Sequence, residues 1–272
     1  MTCNKVPAAR KSHGVIQFMK FSAGTISVTA LIAGMLFAVA AQAEEEFSDR
    51  IQGDVGAAVY AGNNPVKSDS NTVIAIPYVF FDYGRFFARF DTFGFKTLPM
   101  GYGHLEIVGR ISLDGYRTNN SILRGISERR SSLPLGIGTF QETPIGGFFM
   151  NVFYDVNRSH GRLSELIYAG EFNAGNTVLY PLIGLEHFSA QYTRYFYGVS
   201  PVEAANSNYP AYSPKATTTT MLGLAWEVPV AADWNAQVFM SRRWLGSAIS
   251  LSPLVHRNLQ DEAFISLSYR YK

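Results

Sequence analysis

The sequence predicts an all-β protein, a transmembrane antiparallel β-barrel of ten to twelve strands, with twelve favoured. In the last stretch, residues 263–272, apolar and mostly polar side chains alternate with the period of a β-strand. Segments of about ten residues with similar alternation recur from Arg50 onward, separated by Gly, Asn, Asp, Pro and Ser. No segment after residue 43 approaches eighteen uninterrupted apolar residues, which excludes a protein with several membrane-spanning helices.

The final strand has two unlike faces. Its apolar face carries Ala263, Ile265, Leu267, Tyr269 and Tyr271, and its other face carries Phe264, Ser266, Ser268, Arg270 and Lys272. Tyrosine is enriched at the membrane interface, so a strand of this length that ends in tyrosines favours one that contacts lipid and closes a barrel. The 15 Tyr and 20 Phe of the chain fit strands and aromatic girdles in the same way.

The N-terminal segment predicts export. An apolar run from Phe21 to Val39 ends in Ala41-Gln42-Ala43, the small-x-small pattern that a signal peptidase cuts. We therefore expect a signal peptide over residues 1–43, cleavage between Ala43 and Glu44, and a barrel domain over 44–272. The alternative is an uncleaved membrane anchor. Met19 also begins a leader of ordinary length, which makes residues 1–18 a candidate upstream extension.

Charge and cysteine content narrow the function classes. Residues 1–43 contain four basic residues, so residues 44–272 hold 19 basic and 21 acidic groups and a net charge of −2. This balance does not indicate nucleic-acid binding. Cys3, the only cysteine, falls in the predicted leader, which excludes disulfides and thiol catalysis in the mature chain. The histidines never fall at close ligand spacing with acids, so we expect no metal site and no cofactor.

Ten segments fit strands, and twelve if two weaker ones, 93–98 and 191–197, are counted. The better segments are 51–60, 72–82, 86–91, 104–113, 148–157, 165–172, 177–188, 218–228, 234–241 and the final strand 263–272, and 133–141 is a weaker strand. Pro77 and Pro181 interrupt strands that are apolar on both faces, and each predicts a bulge or a strand end because proline removes a ladder donor. A water-soluble β-sandwich is the alternative fold.

Charged residues of both signs fall on the predicted inward faces. They are Arg85, Arg89, Glu106, Arg110, Asp155, Glu165, Glu171, Glu186 and Glu227. Such residues could form a salt-bridged plug or line a narrow pore, and the mixture of signs favours a largely occluded lumen.

Two stretches near the C-terminus form a motif. The first runs Tyr195-Phe196-Tyr197-Gly198-Val199-Ser200-Pro201-Val202-Glu203-Ala204, and the second combines Arg243-Trp244-Leu245-Gly246-Ser247-Ala248 with Ser252-Pro253-Leu254-Val255. Together with Tyr209 and Tyr212, they resemble the signature of the MipA/OmpV family of outer-membrane proteins. The residues that carry the resemblance, and that we take as candidate partner-binding residues, are Tyr195, Phe196, Gly198, Val199, Glu203, Tyr209, Tyr212, Arg243, Leu245, Ser252 and Pro253.

The resemblance implies an outer-membrane β-barrel of Gram-negative bacteria that is not an enzyme. It implies a scaffold that brings a murein hydrolase, a lytic transglycosylase, to a murein synthase. The expected partners are therefore these two enzymes, outer-membrane lipid, and the outer-membrane assembly machinery that reads the final strand. The loops 200–215 and 245–259 are candidates for partner contact, and the alternative is that they fold back to cap the barrel.

Two other functions stay open at this point. The first is a narrow channel for small solutes. The second is a lipid-acting hydrolase, because His187 and Ser189 share one strand face and could act as base and nucleophile, with Glu203 as the orienting acid. The simpler interpretation of this pair is an interfacial histidine followed by a turn serine.

Overall fold

The structure is a computed structural model that describes residues 47–68, 71–118 and 120–272. The predicted signal peptide and its cleavage site at Ala43 and Glu44 lie outside the described residues. The described strands are β1 Gln52–Gly62, β2 Thr72–Tyr83, β3 Phe86–Arg89, β4 Thr92–Met100, β5 Gly103–Arg110, β6 Pro134–Thr143, β7 Gly146–Asp155, β8 Arg162–Ala169, β9 Phe172–Ala174, β10 Thr177–Phe188, β11 Thr217–Ala231, β12 Trp234–Trp244 and β13 Leu259–Tyr271. The described helices are α1 Ala190–Tyr197, α2 Pro201–Asn206 and α3 Ser247–Ser250.

The strands close into one antiparallel barrel. Apart from β8 and β9, each strand pairs with its neighbour in sequence, and the ring closes where β1 pairs with β13 from Gly53↔Tyr271 to Gly62↔Glu262. Segments β8 and β9 both pair with β10, so they are two halves of one wall strand. Counted this way, the described part of the chain forms a barrel of twelve strands, which confirms the predicted fold class.

The barrel wall has an apolar exterior and a polar interior. In β13, Ile265 and Leu267 point outward and are 62% and 50% exposed, whereas Phe264, Ser266 and Ser268 point inward and are buried. The same alternation continues around the wall, where Val59, Ile107 and Ile183 are exposed on the outside. An apolar exterior of this kind is what a strand facing lipid requires.

Pro77 lies where β2 has an unpaired edge. Strand β2 pairs with β1 along its whole length but with β3 only from Phe80↔Arg89 to Tyr83↔Phe86. At the N-terminal side of Phe80, the amide of Phe90 donates to the carbonyl of Val79. Beyond this hydrogen bond no described strand pairs with this edge of β2. Backbone groups two residues apart point to the same side of a strand, so the missing N–H of Pro77 faces this open edge and interrupts no ladder.

Pro181 lies opposite the break between β8 and β9. Pairing between β8 and β10 ends at Leu182↔Ala169 and resumes at Leu179↔Phe172 between β9 and β10. The carbonyl of Pro181 accepts a hydrogen bond from the amide of Gly170 at 2.9 Å, across this interruption. The proline therefore marks an irregularity in the wall, as its sequence position predicts.

The two ends of the barrel differ. Most strand pairs at one end are joined by tight turns, such as Gly101-Tyr102 between β4 and β5. Phe47 lies at this end too, because the carbonyl of the next residue, Ser48, accepts a hydrogen bond from the amide of Gly84 in the turn between β2 and β3. Lys272, which follows β13, lies at the same end. We call it the turn end. At the opposite end, four longer connections, residues 63–71, 111–133, 189–216 and 245–258, come together, and we call it the cap end.

One predicted strand is wrong. Residues 191–197 belong to helix α1, which Ser189 begins by accepting a hydrogen bond from the amide of Tyr192 with its side chain. Tyr192 and Phe196 are buried on one face of the helix. Their spacing of four residues is that of a helix and not of a strand, and it is visible in the sequence. The described helices are too short or too polar to cross a bilayer.

Candidate functional site: the lumen and its cap

A chain of ion pairs crosses the lumen below the cap. Arg110 pairs with Glu165, and its Nη1 lies 3.9 Å from Oε1 of Glu186. Arg243 extends the chain, with its Nε 3.0 Å from Oε2 of Glu186 and a second pairing to Glu262. These side chains come from β5, β8, β10, β12 and β13, so the chain connects walls that are distant in sequence.

Two further ion-pair groups occupy the lumen. On one side, Nη1 of Arg89 donates to both carboxylate oxygens of Glu106, at 2.9 and 3.1 Å. Nearer the turn end, Arg270 pairs with Asp54 at 2.6 Å and with Glu227 at 3.0 Å. Acids and bases are therefore paired across the lumen and not separated by sign, which argues against a pore lined by one sign of charge.

Three phenylalanine rings form a partition inside the barrel. Phe90 stacks on Phe264 with ring centroids 4.5 Å apart, and Phe264 stacks on Phe239 at 5.0 Å. Phe90 lies at the tip of the short β3–β4 hairpin, where its φ of 58° places a bulky residue in the left-handed region. That conformation costs about 1 to 3 kcal/mol. Packing of the Phe90 ring on Phe264 of β13, and beside Phe239 of β12, offsets this cost and holds the hairpin tip on the inner face of the barrel.

The cap has its own apolar core. All four long connections contribute to it: the fully or almost fully buried side chains are Val66, Tyr116, Leu123, Ile126, Val199, Ile249, Leu254 and Val255. Two of the connections are also joined through their backbones, since Val66 pairs with Val255, and a bridge between Val199 and Tyr212 closes the connection 189–216 on itself. The cap is therefore a packed layer across the cap end of the barrel.

An ion pair ties two of these connections together. Nη2 of Arg129 lies 2.8 Å from Oε1 of Glu203, and the same guanidinium donates from Nε to the carbonyl of Tyr195. Glu203 also accepts hydrogen bonds from the amides of Ser127 and Ser200. Burial raises the pKa of Glu203, but the hydrogen bonds from these two amides and from Arg129 outweigh burial and lower it to about 2.

The residues of the sequence motif lie in the cap or directly beneath it. Phe196, Val199, Glu203 and Ser252 are buried, and the Ser252 hydroxyl donates to the carbonyl of Tyr197 at 2.7 Å. The remaining motif residues contact the same layer: Tyr195 through Arg129, Tyr209 through the Ile122 carbonyl, Tyr212 through the Ala248 carbonyl, Leu245 by packing on the cap core, and Pro253 through Lys67.

Two motif residues have special positions. A side chain at Gly198 would meet the carbonyl oxygen of Arg194 at 2.4 Å, so only glycine lets α1 end this closely against its own last turn. Arg243 reaches down from β12 into the lumen ion-pair chain. The motif therefore brings together residues that build the cap and one that connects it to the barrel interior, which sequence spacing alone could not reveal.

A chamber of about 140 Å³ lies between the cap and the phenylalanine partition. Arg110, Arg243, Glu186 and Glu262 line it from the barrel walls, and Asp91 and Asp114 line it from the β3–β4 tip and the segment after β5. Aromatic side chains, among them Phe90, Tyr60, Tyr192 and Tyr197, complete its wall. The chamber is thus a small, mixed polar and aromatic space inside an otherwise filled lumen.

The pair His187 and Ser189 has no catalytic geometry in the structure. His187 faces outward, with Nδ1 3.0 Å from Oγ1 of Thr218. The Ser189 hydroxyl accepts hydrogen bonds from the amides of Arg162 and Tyr192, as the cap of α1. Among the described contacts none joins the two side chains, and Glu203 is held by Arg129 elsewhere in the cap. Within the described residues, no group of three or more His, Cys, Asp or Glu is placed to hold a metal ion.

A closed antiparallel barrel with an apolar exterior and a charged, filled interior defines the class of outer-membrane β-barrel proteins. The sequence matches the family described as MltA-interacting protein MipA over residues 55–271, and the chain belongs to this family. It is an outer-membrane protein, as the predicted localisation states.

Individual relatives are distant but span most of the chain. The MltA-interacting protein of Escherichia coli strain K12 is 23% identical over 256 residues, which cover 89% of this chain and 98% of that protein. The putative outer membrane protein YiaT of the same strain is 21% identical over 221 residues, which cover 80% and 90%. Among solved structures, an anion-selective porin from Comamonas acidovorans aligns with 8% identity and a TM-score of 0.27, over 83% of this chain and 100% of that one.

Proposed function

We propose that this protein is a closed outer-membrane scaffold that binds a murein hydrolase of the lytic transglycosylase class and, through it, a murein synthase. The observation that carries the proposal is the filled lumen, in which ion pairs, a phenylalanine partition and a packed cap follow one another along the barrel axis. A barrel filled in this way offers no continuous water path for diffusion. The name of the related MltA-interacting protein supports a hydrolase as the partner.

The partner surface on this proposal is the turn end. In outer-membrane barrels short turns face the periplasm and longer loops face the exterior. Murein and the enzymes that act on it are periplasmic, so a hydrolase would meet the turns and not the motif-bearing cap. The motif residues then act by building the cap, and the turn tips carry the contact surface.

Two exposed apolar side chains at turn tips are the first candidates for this contact. Tyr102 in the β4–β5 turn is 62% exposed, and Ile145 in the β6–β7 turn is 68% exposed. Exposed aromatic and aliphatic residues of this kind supply the anchors of protein interfaces. We therefore expect a hydrolase to cover both of them.

The test is the affinity of the purified barrel for a lytic transglycosylase, measured by biolayer interferometry in detergent. The variant Tyr102→Ser/Ile145→Ser should bind at least about tenfold more weakly, as the loss of two interface anchors implies. Val202→Ser is the matched control, because Val202 is an exposed apolar residue at the cap end. Absence of binding by the unaltered protein would overturn the scaffold proposal, and weakening by Val202→Ser alone would reverse the assigned end.

The channel is the second candidate function, and the chamber is the observation that favours it. The chamber is nevertheless bounded by the phenylalanine partition on one side and by the cap on the other. Conduction would require the β3–β4 tip or the cap to move. No catalytic role is proposed for His187 or Ser189.

A further inference from the structure

We propose that the chamber beneath the cap is a binding site for a small aliphatic amine, with one or two ammonium groups on a short carbon chain. This inference goes beyond the scaffold and does not depend on it. It rests on the charge of the chamber wall, on polar atoms that point into the chamber without partners, on its size, and on an opening at its side.

The charge of the wall favours a cation. Four carboxylates line the chamber, from Asp91, Asp114, Glu186 and Glu262, against only two guanidinium groups, from Arg110 and Arg243. The carboxyl groups outnumber the guanidinium groups by two in an interior where solvent screens poorly, so a bound cation would offset the repulsion among them. A bound anion would add to the repulsion among the carboxylates.

Polar atoms in the chamber also lack protein partners. The Glu186 side chain is 8% exposed, and its two carboxylate oxygens differ in their partners. Oε2 accepts a hydrogen bond from Arg243 at 3.0 Å, whereas Oε1 has only a long ion pair, 3.9 Å, with Nη1 of Arg110 among the described contacts. The hydroxyls of Tyr60 and Tyr197 line the same space, and neither has a hydrogen bond among the described contacts. An ammonium group would supply the hydrogen-bond donors that these oxygens can still accept.

The size and surface of the chamber fit a short carbon chain. A cavity of about 150 Å³ holds a molecule the size of benzene, and this chamber, at about 140 Å³, is comparable. Its aromatic lining suits methylene groups, and the faces of Phe90 and the tyrosines attract a cation. A four-carbon diamine therefore matches the chamber in volume, in apolar content and in charge.

An entrance exists on the side of the barrel. The chamber is not fully enclosed, and two of the residues that line it, Ile111 and Leu113, are themselves 60% and 56% exposed, which favours this place as the opening. The opening adjoins the tip of the β3–β4 hairpin, because the amide of Ile111 donates to the carbonyl of Asp91. The hairpin tip also contacts β2 at the point where the unpaired edge of β2 begins, since the amide of Phe90 donates to the carbonyl of Val79. Asp91, with 44% of its side chain exposed, and Asp114 are the carboxylates nearest to this entrance and would attract cations to it.

The test is isothermal titration of the purified, folded protein with 1,4-diaminobutane, with 1,4-butanediol as the uncharged probe of the same shape. We expect the diamine to bind and the diol not to bind. Glu262→Gln removes one chamber carboxylate and should weaken diamine binding about tenfold. Asp261→Asn is the matched control, because Asp261 is the next residue in β13, pairs with Arg242 at the outer surface and faces away from the chamber.

Each outcome decides the proposal. No binding of the diamine, equal binding of the diol, or equal weakening by Asp261→Asn and Glu262→Gln would overturn it. If Glu262→Gln does not fold, Asp91→Asn at the entrance is the second variant and should also weaken the diamine, at constant ionic strength. Retained full affinity in that variant would contradict the assigned site.

Discussion

Arg129 and Glu203 are 74 residues apart in sequence, and their side chains meet at 2.8 Å within the cap. The guanidinium also holds the carbonyl of Tyr195 at the end of α1, while the carboxylate holds the amide of Ser127 in the connection after β5. One buried ion pair thus fixes the relative position of two long connections that would otherwise lie over the lumen independently.

Glu203→Gln should loosen the cap without unfolding the barrel. The change removes the charge from an acceptor of several hydrogen bonds, and a hydrogen bond to a charged group contributes about 1.5 to 3 kcal/mol. Hydrogen–deuterium exchange of residues 189–216 should therefore speed up while strands β10 and β11 stay protected. Glu128→Gln is the control, because Glu128 is exposed in the neighbouring connection. Equal exchange in both variants would contradict this role of Glu203.

The cap should also lose stability in acid. The pKa of Glu203 is about 2 in the folded cap, against an ordinary value of 4.5. A lowered pKa contributes stability that is fully present above 4.5 and is lost as the pH falls from there toward 2. Tyrosine fluorescence of the cap, followed from pH 6 to pH 2, should report a transition in this window. Glu203→Gln should remove the pH dependence, and an unchanged transition in that variant would assign it to another group.

Phe90→Ala should destabilise the barrel and open the partition. The ring stacks on Phe264 and makes a longer, tilted contact with Phe239, and aromatic pairs contribute about 0.5 to 1.5 kcal/mol each. We expect a lower temperature of the heat-induced shift on SDS gels than for the unaltered protein. Phe86→Ala in the same hairpin is the comparison, because Phe86 is 59% exposed and makes an edge-to-face contact with Phe95 outside the lumen. A larger effect of Phe86→Ala would argue against the partition.

Arg243 should be coupled to both of its acidic partners. Arg243→Gln leaves Glu186 and Glu262 without this cation in the lumen, and breaking a buried ion pair from one side costs about 3 to 5 kcal/mol. The double variant Arg243→Gln/Glu262→Gln should regain part of that stability in urea unfolding. Additive effects of the two changes would show that the side chains do not interact.

Period-two alternation was enough to predict the barrel, because one face of each strand meets lipid and the other meets a polar lumen. The prediction for residues 177–188 coincides with β10. The lumen contacts could not be predicted in the same way: Arg110 and Glu186 meet only because strand register and barrel closure bring β5 and β10 to the same height. Sequence spacing does not contain that information.

The cap illustrates the same limit. The motif around Tyr195 and Glu203 is visible in the sequence, but its aromatic residues suit a partner surface and a packed layer equally well. The structure distinguishes a partner surface from a packed layer. Phe196 is buried in the cap, and its carbonyl accepts a hydrogen bond from the Tyr116 hydroxyl at 2.6 Å. The missed helix α1 follows from the same cause, since its buried residues face this layer and not the lipid.

Single-channel recording in planar bilayers is the measurement that tests the filled lumen most directly. The folded protein, checked by its heat-induced gel shift and compared with an open porin prepared in the same detergent, should insert without conductance steps. Ion pairs, the Phe90 partition and the cap each interrupt the water path, so raising the salt concentration should not produce steps. Stable steps that grow with salt concentration would contradict a closed scaffold and favour the channel.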